Sequence, residues 1–222
     1  MATKTKIAEY QGQEVIGYKS GTAGPAIVIL HDWWGCTQSV QNIADRLANL
    51  GNQVLALDYY FGYLPANYRE AEKKLWTADI TDITEILILK AVEHFGKAHL
   101  FGMGFGASCA MIAQQKVPNI RSVTAAYGLA PQDRVTELKV PFMAIRADKG
   151  TFDNPKLTNI YLNMAPRHPN GTNISQVMSH NCNAEFLNET STDFDFKRLK
   201  ATCEAISAWV GYCNRDYPDG YF

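Results

Sequence analysis

The sequence has no cluster of lysine and arginine, and its formal net charge is only -1 over 222 residues. It therefore lacks the electrostatic footprint of a nucleic-acid binder or of a protein that adheres to anionic membranes. No apolar run is long enough to span a bilayer, and the opening "MATKTKIAEYQGQ" lacks the apolar core of a secretory signal. These absences lead us to expect a cytoplasmic or otherwise intracellular chain, with no nucleic-acid partner and no membrane insertion. The cysteines (Cys36, Cys109, Cys182, Cys203 and Cys213) are odd in number and show no C-x-x-C spacing. That argues against a disulfide framework and against a zinc site, leaving free thiols and no metal as the expectation. Linkers and internal repeats are missing too, so nothing divides the chain.

What is present is a composition that is 46% hydrophobic and an alternation of strand-like and helical segments. Apolar runs at 26–31 ("AIVILH"), 52–58, 97–102, 121–128, 140–147 and 174–180 read as parallel strands covered on both faces, whereas "EVIGYK" at 14–19 is more polar and reads as an antiparallel edge. Helical patterns fall near 39–50, at 67–95 with an interruption, and at 105–116, 155–164 and 194–213. The first carries Val40, Ile43, Ala44, Leu47 and Leu50 at helical spacing, and Gly51 follows as a stop. The economical arrangement is an α/β fold with one doubly wound, mostly parallel sheet, whose ligands bind beyond the carboxyl ends of the strands.

The stretch "KAHLFGMGFGASCAMIAQQ" at 97–115 carries the functional signal. A strand stops at Gly102, glycines recur at 104 and 106, and a helix begins at once. Gly102, Gly104 and Ala107 fit a dinucleotide fingerprint, but several strands precede this turn and the next strand ends in "YGLA" without an acid. We therefore expect neither a nicotinamide nor a flavin, nor any other cofactor. The same residues fit the nucleophile elbow, G-x-Nu-x-G, with Gly104 at the tip. Asp148 and His180 follow later strands in the order that an acid and a histidine take in α/β-hydrolases.

With "HDWWGCTQSVQNIADRLANLGNQVLALDYYFG" added, the sequence resembles the dienelactone hydrolase family over about residues 10–213. The resemblance implies an α/β-hydrolase fold in a single domain spanning 1–222, with a tail from 214. Carried over by position, it places the nucleophile at Gly104, the acid and base at Asp148 and His180, and the carboxylate that modulates the resting thiol at Asp32. It also implies an oxyanion hole from the backbone N–H groups of Phe105 and Trp33, and a substrate-carboxylate arginine at Arg69. A second such arginine is missing from "HNCNAEF". Glycine cannot act as a nucleophile, so the usual acyl-enzyme route is closed. Two main functions stay open, with a small-ligand sensor that uses the inactive pocket as a third. One is a pseudoenzyme that serves as a structural or interaction component of a larger protein assembly. The other is a weak hydrolase of small esters or lactones, in which Asp148 and His180 activate water or Cys36 supplies a thiol.

Overall fold

The computed structural model describes residues 1–150, 154–167 and 173–216. Eight strands form one sheet: β1 (Thr3–Tyr10), β2 (Gln13–Ser20), β3 (Ala26–Leu30), β4 (Gln53–Asp58), β5 (Ala98–Met103), β6 (Ile120–Ala126), β7 (Phe142–Ala147) and β8 (Ser175–His180). Their spatial order is β1-β2-β4-β3-β5-β6-β7-β8, antiparallel at the β1/β2 and β2/β4 pairs and parallel from β4 to β8. This is the expected α/β-hydrolase architecture with one correction. The 14–19 segment is antiparallel, but β1 covers it, so it is not the edge. β1 has the sequence "TKTKIAEY" and buries none of its residues fully, which leaves no apolar run to mark it.

The parallel strands alternate between two layers, as the two-residue period of a strand requires. Ile27 and Ile29 of β3 face a layer containing α1 (Gln38–Asn49) and α6 (Phe196–Asp216), where Ile43, Leu47, Leu199 and Ile206 are buried. Val28 and Leu30 face the opposite layer, with α3 (Ile88–Phe95), α4 (Phe105–Ala113) and α5 (Pro155–Met164). The expected interruption in the 67–95 helix is real: α2 (Tyr68–Thr77) ends before a π-helical turn at Asp82–Leu87, which runs into α3. Helix α1 ends as expected, Gly51 following in a left-handed conformation (φ +90°). Helix α6 continues to Asp216, three residues into the segment expected to be a tail from 214, and the rest of that tail lies outside the described residues. Among the described residues no helix is long and apolar enough to cross a membrane.

Candidate functional site

Strand β5 turns into α4 through Gly102–Met103–Gly104–Phe105–Gly106, and the turn is as tight as the glycine spacing predicts. Gly104 caps α4 at φ +51° and ψ −115°, a left-handed conformation that strains any residue with a Cβ. Its flanking glycines are there for space. A Cβ on Gly102 would lie 2.3 Å from the Gly106 carbonyl oxygen, and one on Gly106 would lie 2.3 Å from the carbonyl oxygens of both Leu30 and His31. A Cβ on Gly104 has more room, its nearest contact being Asp32 Cβ at 3.3 Å. The tip therefore tolerates a side chain sterically and carries none.

A pocket of about 500 Å³ opens above the tip. Asp32 and Trp33 from the turn after β3, Phe105 and Ser108 from α4, Tyr127 after β6, and Ala184 and Glu185 after β8 all line it. The N–H groups of Trp33 and Phe105 have no backbone partner among the described residues, because Phe105 opens α4 and Trp33 sits in the turn ahead of α1. Both residues line the pocket, and Phe105 stands at the N-terminal end of the α4 dipole.

His180 and Asp148 do not line this pocket. Strands β7 and β8 pair in register, Ala147 opposite His180, and Asp148 N–H donates to the His180 carbonyl at 2.9 Å, so the two residues are backbone neighbours. Their side chains part. His180 Nε2 pairs with Thr202 Oγ1 of α6 at 3.0 Å, while the Asp148 carboxylate makes an ion pair with Arg146 at 3.4 Å. The expected His180–Asp148 side-chain hydrogen bond is not formed, because the last residue of β8 directs its imidazole toward the α6 layer. Chain order locates a strand end. The residues that reach over the elbow, Ala184 and Glu185, come four and five positions later.

Two further expectations change. Arg69 is exposed in the first turn of α2 and does not line the pocket, and the lining among the described residues holds no Lys, Arg or His. Cys36 is buried, its Sγ 3.9 Å from the Ala56 carbonyl oxygen, and burial pushes its thiol well above the ordinary range. It is a packing residue.

Glu185 was not visible in the sequence as a site residue, since a lone loop glutamate carries no periodic or motif signal. The structure holds it at φ +67°, a strained conformation for a residue with a Cβ, and both tryptophans of "HDWWG" donate to its Oε1, Trp34 Nε1 at 3.0 Å and Trp33 Nε1 at 3.4 Å. Tyr127 is also left-handed, at φ +38°. Left-handed backbone thus converges on one pocket from three loops, at Gly104, Tyr127 and Glu185.

Asp32 is 7% exposed. Burial pushes its carboxyl up to about 7 against the Trp34 N–H bond to Oδ1 (3.0 Å), and the charge of Glu185 adds to the rise. Behind it His31 donates Nδ1–H to the Asp32 carbonyl at 2.7 Å, stacks on Tyr59, and is lowered by burial to about 3. His99, also buried, is lowered to about 4. The signs oppose. Asp32 ionises more readily unfolded than folded, so its contribution to stability falls as pH rises from about 4 to about 7, on the order of 4 kcal/mol in all. The histidines take protons more readily when unfolded, so their contribution falls as pH drops below the ordinary 6.5. Thermal melts across pH are expected to peak near about 6.5. Asp32→Asn, which keeps an acceptor for Trp34 N–H, is expected to remove the alkaline decline and raise Tm at pH 8 more than at pH 5. Equal shifts at both pH values would refute the buried, proton-holding carboxyl.

The sequence profile of the dienelactone hydrolase family matches residues 14–213. A protein of Aquifex aeolicus provisionally named a carboxymethylenebutenolidase is 28% identical over 224 aligned residues, covering 92% of this chain and 94% of that protein. Among solved structures, the dienelactone hydrolase from Anabaena variabilis superposes with a TM-score of 0.65 at 17% identity, covering 96% of each chain. The dienelactone hydrolase-like promiscuous phosphotriesterase P91 from metagenomic libraries gives 0.71 at 16% identity, again over 96% of each. At these identities the two structures speak to the fold, and the profile match settles the family: the chain belongs to the dienelactone hydrolase family.

Proposed function

We propose that this member of the family binds a small ester-like or lactone-like molecule above Gly104 without carrying it through an acyl-enzyme, as a pseudoenzyme. The carrying observation is the tip itself, an elbow in nucleophile-bearing geometry with an open pocket over it and only hydrogen where the attacking side chain belongs. No substitute stands beside it. Cys36 is buried with its thiol protonated, no histidine among the described residues lines the pocket beside Ser108, and His180 is engaged with Thr202. The role in a larger assembly remains the companion proposal, supported by the exposure of Tyr68 and Trp76 on α2; a native mass equal to one chain in extracts of its own cells would count against it.

Hydrolysis without a covalent intermediate is the second reading, and Asp32 rather than His180 favours it. The place a Cβ would take on Gly104 lies 3.3 Å from the Asp32 Cβ, so a water seated between the tip and the Asp32 carboxyl could attack an ester carbonyl and pass its proton to the ionised carboxylate, while Trp33 and Phe105 N–H groups receive the oxyanion. The experiment is hydrolysis of 4-nitrophenyl acetate together with mass spectrometry for a trapped acyl group. The expected result is no acyl adduct and turnover far below the roughly 1–1000 per second usual for enzymes. An adduct, or turnover within that range that survives Asp32→Asn, would sink both readings. Slow turnover abolished by Asp32→Asn would select the second.

A further inference from the structure

We propose that the pocket above Gly104 selects a small cationic ligand, a substituted ammonium on an apolar or carbonyl-bearing body, in place of the carboxylate-bearing ligand that the family resemblance leads one to expect. The inference rests on the reading that this pocket takes a small molecule, and specifies its charge. Three observations carry it.

The first is the sign of the lining. Its ionisable carboxyls are Asp32 and Glu185, neither in an ion pair among the described residues, and no cationic side chain joins them; Arg69, the residue expected to hold a carboxylate, is exposed elsewhere. A carboxylate entering here would meet two acids in a partly dehydrated space with nothing to compensate its own lost hydration.

The second is the wall. Trp33, Phe105 and Tyr127 line the same space. Aromatic faces with nearby carboxylates are the surroundings in which a poorly hydrated ammonium gains most, since ring quadrupole and charge act together where water is excluded.

The third is the brace. Trp34 meets Tyr68 edge-on at 4.9 Å and Trp33 at 5.7 Å, and the two indole N–H groups converge on Glu185 Oε1. One oxygen of Glu185 is thus fixed by donors, which orients the carboxylate. Asp32 has Trp34 N–H on Oδ1 and no cationic partner although it is almost fully buried.

A cation arriving beside Asp32 favours its ionised form, so binding is coupled to release of a proton as pH falls through about 7. The groups facing Asp32 do not compete for this role. Tyr127 after β6, Tyr59 and Tyr60 after β4, and Cys36 in its own turn are all raised by burial and stay neutral; His31 behind it stays neutral too, Lys74 lies over the Tyr60 ring and acts on His31, and among the described residues Glu185 is the charge that acts on Asp32 itself.

The test uses the full chain and three ketones of matched shape that cannot be hydrolysed: (4-acetylphenyl)trimethylammonium, 4-tert-butylacetophenone and 4-acetylbenzoate. Titration calorimetry at pH 8 is expected to show the cation bound at least about tenfold more tightly than the neutral ketone and the anion more weakly than either. The preference is expected to shrink at pH 5.5 and to be lost in Asp32→Asn and in Glu185→Gln, with the neutral ketone's affinity retained as the check that each variant keeps its pocket. Equal affinity for cation and neutral ketone, or preference for the anion, would overturn the charge inference while leaving the pocket reading in place. Failure of all three to bind would overturn both. Loss of neutral-ketone binding in one variant leaves the other to decide, and a preference that survives in a folded variant would show that the carboxyls are not its source.

Discussion

Gly106→Ala is expected to be recovered unfolded or with most of its stability gone. The added Cβ would stand 2.3 Å from the carbonyl oxygens of Leu30 and His31, and both contacts are backbone in the central strand and its following turn. No rotamer change relieves such a contact. Helix α4 must move off the sheet by about 1 Å, and Ala107, Ala110 and Met111, fully buried under it, move with it. The cost is at least about 3 kcal/mol, a large part of the roughly 5–15 kcal/mol that holds a domain folded. Gly96→Ala is the control, because nothing lies within 4 Å of that position and only the φ of +75° is unfavourable, for a cost of about 1–2 kcal/mol. Urea denaturation of the two variants checks the contrast. Similar midpoints for Gly106→Ala and wild type would mean that α4 does not pack against β3 as described.

The second large effect concerns chemistry. Gly104→Cys alone is expected to fold, at a cost of about 1–3 kcal/mol for a Cβ at a strained φ, and to show almost no gain in esterase activity. A thiol at the tip would have no imidazole base, since His180 is turned to Thr202 and does not reach the pocket, and the Asp32 carboxyl that lines it lacks the imidazole's second role as acid toward the leaving group. Adding Ala184→His changes that. Position 184 lines the pocket, and its backbone packs against Gly150 in the turn that carries Asp148, with Lys149 N–H bonded to the Cys182 carbonyl at 2.9 Å. An imidazole there would face the tip with an acid close behind. The double variant is expected to exceed Gly104→Cys by about 10²–10⁴-fold in 4-nitrophenyl acetate hydrolysis, the usual contribution of a positioned base. If Gly104→Cys is fully active alone, or loses its activity on His180→Ala, the geometry at the end of β8 has been misread.

The contrast between Gly104 and His180 shows what a sequence can and cannot convey here. The elbow was legible because its constraint is local: three glycines at alternate positions between a strand and a helix leave few backbone solutions, and the Cβ contacts at 102 and 106 are their physical cause. The parallel strands were legible because burial on both faces demands continuous apolar runs. β1 was not, because a strand that pairs on one side and stays half exposed needs no such run. His180 misled because order along the chain specifies which strand end a residue follows and leaves open which layer its side chain enters. Glu185 was hidden for the opposite reason: its role depends on two indole donors more than 150 residues away in sequence, a pairing made only by the folded topology.

The indole pair on Glu185 also makes the molecule its own optical probe. Of the four tryptophans, Trp76 is 80% exposed and Trp209 is buried in the α6 layer, so their emission reports solvent and core. Trp33 and Trp34 share one carboxylate beside the pocket, and whatever alters that carboxylate's charge or hydration alters the surroundings of both rings together. Occupancy above Gly104 is therefore readable as a change in intrinsic fluorescence, and Trp76→Phe, which removes the wet background without touching the pocket lining, turns that change into the dominant signal.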